Sequence, residues 1–223
     1  MTMSLNRTAP FADLPRLILA SQSPRRRELL ALLSVPFDAV ASEVDESARP
    51  GEEPAALARR LAREKALAVA QRFPGHPVLA ADTIVVLEGE VLGKPVDGME
   101  AAAMLASLRG RSHLVISAVY ACNPSRGLET GALSESLVWM RPYTDDEIAI
   151  YVASGDPLDK AGAYAIQSRQ FAPVLRIEGC YSGVMGLPLG HVSAVLRSVE
   201  VAVIADVVAA CQPLAGRCCQ QAG

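Results

Sequence analysis

The sequence predicts an α/β fold, a mixed twisted sheet covered by helices, on three observations. Short apolar runs alternate with stretches of strong helix formers, turn signals join some of the strands as hairpins, and no Gly/Ser- or Pro-rich linker divides the chain. With roughly 100–200 residues expected per domain, the 223 residues suit one substantial unit, and two lobes around a cleft fit without being independent domains.

Taken in order, the first 15 residues read as a mixed extension ahead of a single domain over residues 16–211. Leu17 to Ala20 is a short buried strand, followed by a turn and a helix that opens at Ser23-Pro24. Phe37 to Ala41 reads as a second strand, Ser42 to Pro54 as an acidic, Pro-containing loop, and Ala55 to Arg72 as a long helix. Val78 to Leu87 is strand-like, with a Glu88-Gly89-Glu90 turn behind it. Ala101 to Leu108 reads as a helix, His113 to Ala121 and Leu133 to Met140 as strands joined through hairpin signals, and Asp145 to Ala153 as another helix. A glycine-punctuated stretch, Gly179 to Pro188, leads into the last long helix, and the tail from Gln212 to Gly223 is expected to fray.

Composition narrows the function. Hydrophobic residues at 51% and charged residues at 20% indicate a packed globular protein rather than a disordered or fibrous one. A formal charge of -3 with 4% aromatics argues against a broad basic, ring-lined face for nucleic acid, so any anion site is local. Apolar runs such as Val201 to Ala205, bounded by Glu200 and Asp206, fall far below the ~20 residues of a membrane span, and the N-terminus lacks the apolar block of a signal peptide. Five cysteines (Cys122, Cys180, Cys211, Cys218, Cys219), an odd number without a C-x-x-C pair, argue against a disulfide scaffold or zinc site and for a reducing cytoplasm.

Several residues look out of place. Ser23 can cap the first helix and Pro24 fits its first position, but Arg25, Arg26 and Arg27 then crowd its first turn, where cations oppose the helix dipole at roughly 0.3–1 kcal/mol each when exposed. A bound anion would repair that, since backbone N–H groups and arginine forks both suit phosphate oxygens; a solvated basic corner is the plainer alternative. Asp82 interrupts the apolar run Val78 to Leu87, and a carboxylate there needs a cation, a metal ion or a water-filled cleft, unless the strand ends at Ala81. In the helix from Ala55, Leu57 and Leu61 define an inner stripe that Lys65 continues, although a lysine at a stripe's edge commonly snorkels to water. Glu43, Asp45 and Glu46 in the preceding loop could offer oxygen ligands to Mg²⁺ or simply be solvated. Gln167, after the small-residue stretch Ala161 to Ala165, can donate and accept as reading a base edge requires, or serve as a surface amide.

Two motifs fail. Gly89 to Pro95 is one residue short of a Walker loop and has Pro95 where Ser or Thr would bind Mg²⁺. His76, His113 and His191 have neither the spacing nor the partners of a zinc site or a histidine-based triad.

Assembled, the stretches Ala20-Ser21-Gln22-Ser23-Pro24-Arg25-Arg26, Ala62 to Ala66, Ala81 to Val85, Gly93-Lys94-Pro95, Asp159 to Tyr164 with Gln167, and Val184 to Pro188 resemble the Maf family of nucleoside triphosphate pyrophosphatases, in family order from Arg16 to about Arg197. The resemblance implies a two-lobed α/β fold with a cleft, related to inosine triphosphate pyrophosphatases, and hydrolysis between the α- and β-phosphates with a divalent cation, Mg²⁺ or Mn²⁺. Lys160 to Gln167 is similar to the K-A-G-A-Y-x-I-Q stretch of the branch acting on dTTP and UTP, not the branch acting on 7-methyl-GTP. It further implies Asp82 as catalytic carboxylate and, with Glu46 (or Asp45 in another loop register), as metal ligand. An unperturbed aspartate, with a pKa of about 3.9, is a feeble base at neutral pH, which a metal that acidifies water would remedy. Ser21, Ser23, Arg25 and Arg26 would hold the triphosphate, Lys65, Lys94 and Lys160 would neutralise the leaving pyrophosphate, and Arg25, Thr83 and Gln167 match positions tied to substrate choice. Ser117 stands where the family commonly has Thr. The family also tends to dimerise. A competing class is a non-catalytic, nucleotide-sensing regulator of septum formation.

Overall fold

The computed structural model describes residues 15–214. The expected extension before residue 15 and the tail beyond residue 214 lie outside them. In chain order the elements are β1 (Leu17–Ala20), α1 (Pro24–Ala31), β2 (Phe37–Val40), α2 (Pro54–Arg72), β3 (Val78–Leu87), β4 (Glu90–Leu92), α3 (Gly98–Leu108), β5 (Ser112–Asn123), β6 (Leu128–Met140), α4 (Asp145–Ala153), β7 (Val174–Glu178), α5 (Tyr181–Val184), α6 (Leu189–Ser198) and α7 (Val207–Cys211).

Their order in one seven-stranded sheet is β2-β1-β3-β5-β6-β7, with β4 beside β3. β1 runs parallel to β2 and β3, whereas β3, β5, β6 and β7 are successively antiparallel, so the sheet is mixed as expected. Side chains alternate across a strand, and β3 shows the consequence. Val78 and Ala80, then Ile84 and Val86, pack beneath α2 against Leu57, Leu61, Ala66 and Val69. Leu79 and Ala81 face the opposite layer, with Leu29 and Leu30 of α1 and Val192 and Leu196 of α6. Val85 and Leu87 continue that face into a second cluster with Leu105 of α3 and Ile148 and Tyr151 of α4. Helices therefore cover both faces, which is why β3 reads as a near-continuous apolar run.

What positions the site is an interruption in this sheet. β1 makes its last pair with β3 at Leu19 opposite Leu79, and β4 takes up the same edge only at Val85 opposite Leu92. Between them the edge of β3 from Ala80 to Ile84 has no strand partner, while its other edge pairs with β5 throughout. Asp82 and Thr83 lie in that breach.

Four elements go beyond the expectation. β4 is the return arm of the hairpin signalled after Leu87, α5 and α7 are single turns, and β7 is an edge strand whose Leu175 is 71% exposed, so it lacks a clear apolar alternation. The β5–β6 hairpin is also longer than expected, closing through Pro124–Arg126 and a left-handed Gly127 (φ 65).

His113 on β5 is 2% exposed; its Nε2 lies 2.7 Å from the Tyr164 hydroxyl, and Nδ1 has no partner. Burial pushes its pKa down to about 4, so it is neutral in the folded protein at neutral pH. Against roughly 6.5 in the unfolded chain, the unfolded state binds the extra proton between these values, so stability falls as pH drops from 6.5 towards 4, by up to about 3 kcal/mol. Urea unfolding at pH 7 and pH 4.5 should show a smaller loss for His113→Gln than for the parent.

Candidate active site

The site is built from the start of α1 upward. Ser23 caps the helix by accepting from the Arg26 amide, and Pro24 occupies the first turn, which carries no acidic residue to balance its arginines. The three arginines diverge. Arg27 turns back to the Gln22 carbonyl at 2.8 Å. Arg25 reaches Asp159 at 3.2 Å across the mouth of the cleft. Arg26 turns inward, giving Nε to the Gly186 carbonyl (2.9 Å) and Nη2 to the Thr83 hydroxyl (3.4 Å). Burial lowers the Arg26 pKa from its ordinary value, and the charges of Asp82 and Glu46 oppose that effect.

Alternation along β3 sends Asp82 towards α2 and Thr83 to the other face. Lys65 meets Asp82 because Leu57, Leu61 and Lys65 share the inner face of α2 at four-residue spacing. It does not snorkel: at 5% exposure its ammonium lies 2.6 Å from Asp82 Oδ1 and 2.7 Å from Glu46 Oε1. Asp82 Oδ2 makes no protein hydrogen bond yet is not among the sealed, unsatisfied polar atoms, so it faces the open cleft. The acidic loop is also sorted. Asp45 is turned away, accepting from the Ser47 amide at 2.9 Å, and Glu46 is the acid against Lys65. Partial burial alone would raise the Glu46 carboxyl, but the hydrogen bond and charge of Lys65, joined by Lys94 and Arg26, hold it below its ordinary value.

A cleft of about 960 Å³ runs through the breach, lined by the candidates Ser21, Ser23, Arg25, Arg26, Glu46, Lys65, Asp82, Thr83, Lys94, Lys160 and Gln167, whereas Asp45 and Arg27 do not line it. Lys94, beyond β4, is exposed and unpaired, and the Gln167 amide has no protein hydrogen bond, so both are available to a ligand. Lys160 differs. It is 7% exposed and gives its ammonium hydrogens to the Asp156 carbonyl, Asp156 Oδ1 (2.9 Å) and Asp159 Oδ1 (2.6 Å). All three donors are committed to its own loop. Partial burial works against Asp159 ionising, but Lys160 and Arg25 hold its carboxyl below the ordinary value.

The cleft thus has two electrostatic poles. Two carboxylates share one lysine beneath α2, leaving that corner net negative, while Arg25, Arg26 and Lys94 face it across the opening. Such an arrangement suits a polyanion accompanied by a cation.

Residues the sequence did not single out complete the geometry. Gly186 has φ 111, and a Cβ there would lie 3.4 Å from Arg26 Nε and 3.6 Å from Thr83 Oγ1. Gly162 (φ 68) abuts Val85, where a Cβ would come within 3.0 Å. Their signal is the glycine punctuation of the two motifs that carry them. Asp159, visible only as a motif neighbour of Lys160, links both sides of the mouth.

A breached mixed sheet with a capped, arginine-rich helix start opposite a buried carboxylate–lysine cluster defines a polyanion-binding cleft of an α/β protein. A family model described as Maf-like protein matches residues 16–199, and the chain belongs to the Maf family. It is 50% identical to the dTTP/UTP pyrophosphatase of Geobacter sulfurreducens over 185 residues, covering 82% of this chain and 96% of that one. It is 51% identical over 185 residues to the dTTP/UTP pyrophosphatase of an Anaeromyxobacter species, covering 82% and 88% of the two chains. With the dTTP/UTP pyrophosphatase of Symbiobacterium thermophilum it shares 50% over 174 residues, 78% and 89% of the chains.

Proposed function

We propose that this protein hydrolyses nucleoside triphosphates, dTTP and UTP foremost, between the α- and β-phosphates, releasing a nucleoside monophosphate and pyrophosphate. The observation that carries the reading is the buried Lys65–Asp82 pair in a breach of the sheet, with one carboxylate oxygen left open to the cleft. The named activity of relatives about 50% identical over most of the chain supports the substrate class.

In this reading the triphosphate lies along the start of α1, where Arg25 and the unpartnered Nη1 of Arg26 grip phosphate oxygens. Phosphate displaces Asp159 from Arg25. Asp82 Oδ2 accepts the proton of the attacking water, and Lys65, donating to Oδ1, fixes the orientation of the carboxylate. Lys94 and Arg26 stabilise charge gathering on the departing pyrophosphate. Lys160 contributes charge from within its loop and also holds that loop, and with it Gln167, in place.

Asp82 and Glu46 converge on one cationic atom at 2.6 and 2.7 Å, and among the described residues no third acid, histidine or cysteine joins them in a metal cluster. Two carboxylates with the remaining positions left to water and phosphate oxygens is the donor set Mg²⁺ favours, so these residues fit a divalent cation, Mg²⁺ or Mn²⁺, brought in with the substrate. When bound, such an ion supplies Lewis acidity, which makes water more acidic and offsets phosphate charge.

Pyrophosphate release measured with Mg²⁺ and with chelator tests the reading. A sensor of cell division would bind nucleotide without turning it over, and the open oxygen of Asp82 favours turnover because binding alone needs no base. The cytoplasm is the compartment we assign, as an odd number of cysteines without a C-x-x-C pair suits reducing conditions. The working unit we infer from the resemblance is a homodimer, which light scattering would reveal.

Gln167→Ala should lower discrimination among bases about tenfold, the scale of one or two lost hydrogen bonds, in kcat/KM across a panel of triphosphates. The melting temperature should stay within about 2 °C of the parent, because the amide has no partner in the fold. Unchanged preferences would remove Gln167 from base recognition.

A further inference from the structure

We infer that Ser117, which lies behind the cleft wall rather than in it, is a positioning residue that aims Arg26 at the polyphosphate through a one-way chain of hydrogen bonds. The inference rests on the proposed reading only in taking Arg26 as a phosphate ligand.

Ser117 on β5 is 1% exposed and directly opposite Thr83 on β3, so the two side chains share a face. Its hydroxyl donates to the Gly183 carbonyl at 2.7 Å. A serine has one hydroxyl proton, so with that proton committed Ser117 can only accept in its 2.8 Å contact with Thr83, and Thr83 is the donor. Thr83 then presents lone pairs, not a proton, to Arg26 Nη2 at 3.4 Å. Arg26 closes the circuit through Nε to the Gly186 carbonyl at 2.9 Å.

Both ends of the chain are therefore anchored on the same short turn, Gly183 to Gly186, whose carbonyls hold Ser117 on β5 and Arg26 on α1. The Gly183 carbonyl, which accepts and cannot donate, dictates the polarity of the Ser117 and Thr83 links, and the guanidinium, which only donates, dictates that of the other two. Gly186 makes the closure sterically feasible, since its left-handed backbone and missing Cβ let Arg26 and Thr83 approach together. With two of its nitrogens engaged, the guanidinium keeps Nη1 free for a ligand in a fixed direction. Without Ser117, the Thr83 proton loses its acceptor, so nothing fixes the hydroxyl whose lone pairs receive Arg26 Nη2, and the fork loses its support.

The test compares Ser117→Ala and Ser117→Thr, the second keeping the hydroxyl on a β-branched side chain suited to a strand. Inorganic tripolyphosphate, measured as a competitive inhibitor and by calorimetry, reports on the phosphate grip without base or turnover. Ser117→Ala should raise KM and the tripolyphosphate Ki together by about tenfold with kcat within about twofold, whereas Ser117→Thr stays near the parent. In an Arg26→Ala background the same Ser117→Ala change should leave tripolyphosphate affinity unmoved, because the path through Arg26 is already cut. If Ser117→Ala does not fold, Ser117→Cys, which keeps the shape and a weaker donor, should show an intermediate rise. Unchanged Ki in the single variant, or an equal loss with and without Arg26, would overturn the assignment. Failure of the parent to hydrolyse any triphosphate would sink the catalytic reading while the tripolyphosphate binding arms still decide the role of Ser117.

Discussion

Asp82→Asn should reduce pyrophosphate release by about 10²- to 10⁴-fold, the range that a positioned general base supplies, while leaving a folded protein. Asparagine keeps the size and one acceptor for Lys65 but removes the charge and the proton affinity of Oδ2. The fold survives because Lys65 retains Glu46 at 2.7 Å as its counter-charge, so the ammonium is not stranded. The stability cost should be about 1–3 kcal/mol, that of weakening one buried hydrogen bond to a charged group. Coupled pyrophosphate detection with a thermal melt on the same sample measures both. Activity near the parent level would remove Asp82 from the reaction.

Lys65→Met should have the largest effect on the fold itself. Methionine fills the space along α2 but leaves Asp82, 6% exposed, without its directly paired cation and close to a second acid. Removing one member of a buried ion pair costs about 3–5 kcal/mol because the remaining charge stays uncompensated. Chemical denaturation of variant and parent side by side at pH 7 measures the loss. Turnover should fall with it, since the Lys65 hydrogen bond that orients the carboxylate is gone. A variant as stable as the parent at pH 7 would mean that Lys65 and Asp82 do not form the pair seen here.

How far the sequence foretells these features depends on whether the signal is local. Ser23-Pro24 marks the start of α1 because capping chemistry is read within one turn, and Asp82 stands out because its neighbours are apolar on both sides. The inward direction of Lys65 was half legible: helical spacing places it on the inner face, but only the depth of Asp82 and the reach of the Glu46 loop keep it from water. The breach in the sheet is not written in any segment. It arises because β1 is four residues long and β4 joins β3 six positions past the last β1 pair, a relation between strands distant in sequence. The same holds for Ser117, a small polar residue in an apolar strand whose meaning lies in the Thr83 and Gly183 groups it meets. Lys160 shows the converse, a motif lysine whose donors are taken by its own loop. β7 escaped notice because an exposed edge strand carries little apolar alternation.

The products formed decide most directly what the cleft does. Incubating the full chain with UTP or dTTP and Mg²⁺ and following phosphorus resonances should show nucleoside monophosphate and pyrophosphate appearing in equal amounts, with no orthophosphate. Orthophosphate with a nucleoside diphosphate would place the cut at the wrong bond, and saturable binding without any product would make the cleft a sensor rather than an active site.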